Sequence, residues 1–103
     1  CTEAELLTDE IIDLIKTRTD YAKEYFRRAL RVNPVQDTIT MFSFLKTRFE
    51  LDESDYDNTD LVMIMTARPA EGLNGYARCL QWDDYDRCTV GEFNWVPTYL
   101  DPA

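Results

Sequence analysis

Between Thr8 and Leu30 the apolar residues Ile11, Ile12, Ile15, Ala22, Tyr25, Phe26 and Ala29 recur at three- and four-residue spacing, which places them along one stripe of an α-helix. A stripe this long commits a large part of a 103-residue chain to one amphipathic helix whose apolar face is expected to be a core face. Thr8 is suited to the N-cap, and Asp9 and Glu10 fall in the first turn, where carboxylates meet the positive end of the helix dipole. Asn33-Pro34 stops the helix, because proline disfavours helical geometry in the residue before it. Lys16, Arg18, Asp20, Lys23, Glu24, Arg27 and Arg28 fall mostly on the other side and read as a solvated face.

Beyond the helix the pattern changes. Residues 38–44, Thr-Ile-Thr-Met-Phe-Ser-Phe, alternate well enough to predict a strand after a turn at Gln36-Asp37. An acidic loop follows from Glu50 to Asp60. Asp55, Asp57 and Thr59 have the alternate spacing of a calcium loop, but Asp60 stands where such a loop needs glycine and Thr66 where it needs a bidentate glutamate. Leu61-Val62-Met63-Ile64-Met65 is a continuous apolar run, the pattern of a strand covered on both faces in the middle of a sheet. After a loop rich in turn formers, Tyr76–Trp82 and Cys88–Trp95 read as an antiparallel hairpin turning through Asp83-Asp84-Tyr85-Asp86. No repeat, low-complexity tract or Gly/Ser linker interrupts the chain, so residues 1–103 are expected to form one α+β domain with a long N-terminal helix and a C-terminal hairpin.

Composition narrows the partners. Hydrophobic residues make up 45% of the chain, enough to build a core. A net charge of -9 repels nucleic acid and anionic membrane surfaces, and no apolar run approaches the roughly 20 residues that span a bilayer. The chain has no histidine, which removes the usual serine or cysteine triad and the imidazole ligands of zinc. It has no phosphate loop or dinucleotide fingerprint, and carboxylate pairs arise by chance among 20 acids.

Three cysteines leave one thiol free or paired outside the chain. If the hairpin turns at Asp83-Asp84, Cys79 and Cys88 face one another within the roughly 4.4–6.8 Å Cα separation of a disulfide. Two buried, reduced cysteines are the alternative. A disulfide favours an oxidising, extracellular or cell-surface setting.

Several blocks carry a more particular likeness: Asn58-Thr59-Asp60-Leu61-Val62-Met63, Ala67-Arg68-Pro69, Gly75-Tyr76-Ala77-Arg78-Cys79 and residues 88–97, Cys-Thr-Val-Gly-Glu-Phe-Asn-Trp-Val-Pro. Their order and spacing resemble leishmanolysin-family metallopeptidases, and the cysteine-led residues 1–8 resemble the approach to that family's first long helix. The likeness covers nearly the whole chain and is weakest between Val35 and Asp57. It implies the metzincin N-terminal subdomain, in which helices pack on a twisted mixed sheet. It also implies an active site on an HExxH helix about twenty residues past the Asn-Trp-x-Pro-like block, with a third, distant histidine and glutamate as general base.

On that resemblance this chain is the pre-catalytic part of a secreted or cell-surface zinc metalloendopeptidase. Zinc would be bound by the parent protein and not by this chain. The strand after Gly75 would be the sheet edge that pairs with a peptide or protein substrate through the main chain of Asn74, Gly75, Tyr76, Ala77 and Arg78. The alternative is a non-catalytic, acidic, secreted binding or structural module of the same descent. Two departures stand out. Family members commonly join the cysteine matching Cys79 to one within the region here spanning Thr40–Phe49, which has none, while Cys88 appears in the next strand. The family's first strand lies upstream of the position of Cys1 and between two other strands, so this chain would lack an interior strand and expose an unpaired Leu61 to Met65 edge; it is expected to be completed by the remainder of a larger polypeptide or by another chain.

Overall fold

Thr8 starts the long helix, α1 (Asp9–Ala29), by accepting a hydrogen bond from the Ile11 N–H on its hydroxyl at 3.2 Å, which satisfies one of the donors a helix leaves open in its first turn. Asp9 and Glu10 occupy the first turn and Arg27 and Arg28 the last, so charge matches the dipole at both ends. The computed structural model describes residues 3–100. After α1 come β1 (Ile39–Thr40), α2 (Ser43–Arg48), β2 (Asp55–Tyr56), β3 (Val62–Ala67), β4 (Gly75–Trp82) and β5 (Cys88–Trp95), with single 3-10 turns at Glu3–Glu5 and Pro97–Tyr99. The architecture is therefore α+β.

The described residues form two sheets. In the smaller, β1 and β2 pair antiparallel, with Ile39 opposite Tyr56 and Thr40 opposite Asp55. In the larger, the strand order is β3-β5-β4. The short link between β4 and β5 makes them an antiparallel hairpin. Its turn is closed by the Asp83 N–H to the Arg87 carbonyl at 2.9 Å, and the Asp83 carboxylate accepts from the N–H groups of Tyr85 and Arg87. Asp86 takes the left-handed conformation there, with φ of 61°. β3 runs parallel to β5. Met63 lies against Gly91 and Thr66 bonds to Asn94, so contacts advance in the same direction along both strands. The sheet is thus mixed.

The chain separates into two compact units built from interleaved segments. One, the helix-bearing unit, comprises residues 1–32, 65–76 and 94–103; the other, the disulfide-bearing unit, comprises 33–64 and 77–93. In the second, Ile39, Met41, Leu45, Ile64 and Val90 form a buried cluster with Val35, Phe49, Leu51, Tyr56, Val62 and Leu80 around it. Buried Gln81 fastens β1 and the start of α2 there: its side chain accepts from the Phe42 N–H at 2.9 Å and donates to the Thr40 carbonyl at 2.8 Å. In the first unit Ile11, Val96 and Pro97 are buried, and the turns Glu3–Glu5 and Pro97–Tyr99 touch.

Three expectations need correction. Residues 43–48 are helical, not part of a strand. Met41, Leu45 and Phe49 recur every four residues and bury their side chains, wholly for the first two and partly for the third, so a period of four overrides the apparent alternation. β3 lies at the edge of its sheet rather than in the middle: Ile64 is buried but Met63 and Met65 are 43% and 40% exposed, as alternation on an edge strand requires. Finally, the apolar stripe of α1 is a core face only at its start. Ile11 is buried and Ile12 and Ile15 are half-buried, whereas Tyr25 and Phe26 are 60% and 53% exposed and pack edge to face on each other.

Candidate functional site

The outer strand β4 is where the chain presents backbone. Glycine at position 75 is dictated by packing, since a Cβ there would lie 2.9 Å from the Asn94 carbonyl oxygen, a distance a side chain does not tolerate. Gly91 is nearly as tight, with Met63 Sδ 3.3 Å and the Arg78 carbonyl oxygen 3.4 Å from the place of a Cβ. These glycines let the strands lie close together. Near Gly75, Asn94 is completely buried, and both ends of its side-chain amide are hydrogen-bonded. Its Oδ1 accepts from the Thr66 hydroxyl and the Arg68 N–H, both at 2.8 Å, while its Nδ2 donates to the Arg68 carbonyl at 3.0 Å. Asn94 thereby pins the last turn of backbone leaving β3.

Of the five residues expected to meet a peptide, Gly75, Tyr76, Ala77 and Arg78 are the first four of β4, and Asn74 sits just before it. Asn74 accepts a hydrogen bond on its carbonyl from the Val96 N–H at 3.4 Å, so that group faces inward. An antiparallel ladder directs alternate residues to opposite sides. About half of the β4 backbone groups therefore turn away from β5. No backbone bond from outside the sheet reaches residues 75–82 among the described residues.

Farther along β4, Cys79 and Cys88 form a disulfide with a Cα separation of 5.9 Å, which closes the hairpin covalently. Beside it Arg78 donates from Nε to Glu92 Oε1 at 2.8 Å. Glu92 is wholly buried and Arg78 is 46% exposed. The sequence offered one clue to Glu92, a charge inside the strand Cys88–Trp95, but nothing that named its partner. At the hairpin end a groove of about 660 Å³ is lined by Pro34, Asp37, Thr38, Trp82, Asp84 and Tyr85, among others. Most of its lining is exposed, and the two buried polar side chains there are already bonded within the chain, Gln81 to the Phe42 N–H and the Thr40 carbonyl and Thr89 to the Gln81 carbonyl, so β4 is the better site. Arg87 spans the groove margin, donating to the Asn33 carbonyl and lying 4.0 Å from Asp60.

The acidic segment 50–60 is also structural in part. Asp60 accepts from the Val35 N–H at 2.8 Å and Asp57 accepts from the Thr38 hydroxyl, so these carboxylates tie backbone and β-turn together. For zinc the donor set does not fit. The chain has no histidine, two of its three cysteines are joined, and among the described residues no three His, Cys, Asp or Glu side chains gather to hold a metal ion. No helix among the described residues is long and apolar enough to cross a membrane.

Neither a scan against protein-family models nor a search of curated proteins returned a match. The likeness to leishmanolysin-type metallopeptidases rests on the residue blocks themselves.

Proposed function

We propose that β4 is a peptide-pairing edge, accepting an extended substrate segment as an added antiparallel strand, within a secreted or cell-surface zinc metalloendopeptidase of leishmanolysin type. The position of β4 at the margin of a mixed sheet carries this reading. Main-chain hydrogen bonds supply affinity in this mode, and side-chain pockets supply selectivity. This chain contributes the sheet and the pairing edge; the zinc ligands belong to the remainder of the parent polypeptide. Exposed Met63 and Met65 on the opposite edge, with Tyr25 and Phe26 on α1 and Leu30 just past its end, support a larger assembly that covers them.

Two measurements test the two halves of the proposal. Addition of an extended peptide should slow amide hydrogen exchange at alternate residues from Gly75 to Arg78; unchanged exchange throughout that segment at saturating peptide overturns the pairing edge. The transcript read past codon 103 should encode His-Glu-x-x-His within about forty residues. If it does not, the lack of histidine in the chain favours the second reading, a non-catalytic extracellular binding module that uses the same edge.

A further inference from the structure

We infer that Arg78 makes the β4 edge selective for a peptide strand that carries a carboxylate beside it, so the preferred partner is an acidic peptide. This deepens the strand-pairing reading and rests on it.

Glu92 lies beside Arg78 on the neighbouring strand. Its carboxylate is wholly buried in the central strand and bonded to the Arg78 Nε at 2.8 Å. A buried carboxylate without a cation is strongly disfavoured, so Glu92 holds the guanidinium in place. An arginine side chain presents five N–H donors in a planar fork, and the Nε–H is one of them. The terminal Nη groups, on a side chain 46% exposed at the open margin of the sheet, make no hydrogen bond to a described residue.

The other arginines with resolved ion pairs differ. Arg27 and Arg28 are spent on Glu24 along exposed helix, and Arg87 is spent on the Asn33 carbonyl near Asp60. Arg78 alone among these is held by a buried partner while its side chain, on the marginal strand β4, stays 46% exposed. A carboxylate matches that fork with two parallel, charge-assisted hydrogen bonds. Because the guanidinium is already oriented, little side-chain freedom is lost on binding.

The chain's overall field opposes this choice. A net charge of -9 attracts cationic peptides and repels acidic ones. Long-range electrostatics therefore ranks a lysine peptide above glutamine and glutamine above glutamate. Arg78 reverses the order only if it acts by contact, and the sign of the preference separates the two effects.

The test uses capped, extended nonapeptides of alternating valine and threonine, identical except for Glu, Gln or Lys at the centre, with an uncharged fluorophore read by anisotropy. The Glu peptide should bind the native chain about three- to tenfold more tightly than the Gln peptide, and the Lys peptide most weakly. In Arg78→Met combined with Glu92→Gln, which leaves no buried charge unpaired, the Glu-to-Gln ratio should fall to one or below; a thermal melt establishes that this variant is folded. Equal binding of Glu and Gln peptides, or preference for Lys, on the native chain overturns the role of Arg78 and leaves strand pairing standing. If none of the three binds, strand pairing itself fails and the inference falls with it. The comparison of peptides on the native chain decides the matter even where the double variant does not fold.

Discussion

The two units hold themselves together by different means. The disulfide-bearing unit gathers five buried apolar side chains, a buried glutamine bonded to two backbone groups and a covalent link across its hairpin. The helix-bearing unit has a long helix with one buried residue, Ile11, and depends on Asn94 to fasten backbone at the end of β3. A helix can thus be well formed, with cap and charges in order, while most of its apolar stripe contributes little burial. Local rules build α1; packing between segments distant in sequence builds the other unit.

The sharpest way to break this contrast is to cut a hole in each unit. Leu45 is 2% exposed within the cluster, and Leu45→Ala should cost about 3–5 kcal/mol in urea unfolding. Ile11→Ala should cost clearly less, since its neighbours Ile12 and Ile15 are only half-buried. Equal costs would mean the helix is as firmly packed as the cluster. Next in size is Asn94→Leu, which keeps the volume but removes the hydrogen bonds from Asn94 to the Thr66 hydroxyl and the Arg68 backbone. A loss of about 1–3 kcal/mol follows from the lost bonds, with faster amide exchange at Arg68 as its local signature. A cost below about 1 kcal/mol would show that water reaches these groups and that Asn94 is no clamp.

The smallest effect concerns α1 and acid. A hydrogen bond from Arg27 holds the Glu24 carboxyl below its ordinary value, with charge attraction from Arg27 and a bond from Arg28 adding to it. A lowered acid stabilises the folded form above its unfolded-state value and loses that contribution as pH falls through the lowered one. Helicity of α1 should therefore decline slightly at the acid end of glutamate titration. Because the pair is exposed, added salt should shrink the decline. A Glu24→Gln variant with the same acid profile would remove Glu24 from the account.

How far these features were legible follows from the range over which each is determined. The limits of α1 were readable because Thr8 and Asn33-Pro34 act within a turn of the residues they affect. The hairpin was readable from its turn residues and the spacing of Cys79 and Cys88. The helix at Ser43–Arg48 was hidden because a segment so short satisfies periods of two and four nearly equally. Whether Leu61–Met65 lay inside a sheet or at its edge depends on what pairs beside it, which no local pattern records. Of the site, the edge strand was visible and the chemistry on it was not. Glu92 is one acid among 20, and only folding sets it apart by burying it under Arg78.

The parallel pairing of β3 with β5 sets an order of events on a growing chain. β3 leaves the ribosome before β4 and β5 exist, and β5, the strand beside it among the described residues, follows both. Until Cys88–Trp95 emerges, the methionine-bearing strand lacks that partner, and during the interval it is open to capture by a chaperone or by another nascent copy. The hairpin, by contrast, can close as soon as its second arm appears, which makes it the template on which β3 is finally placed.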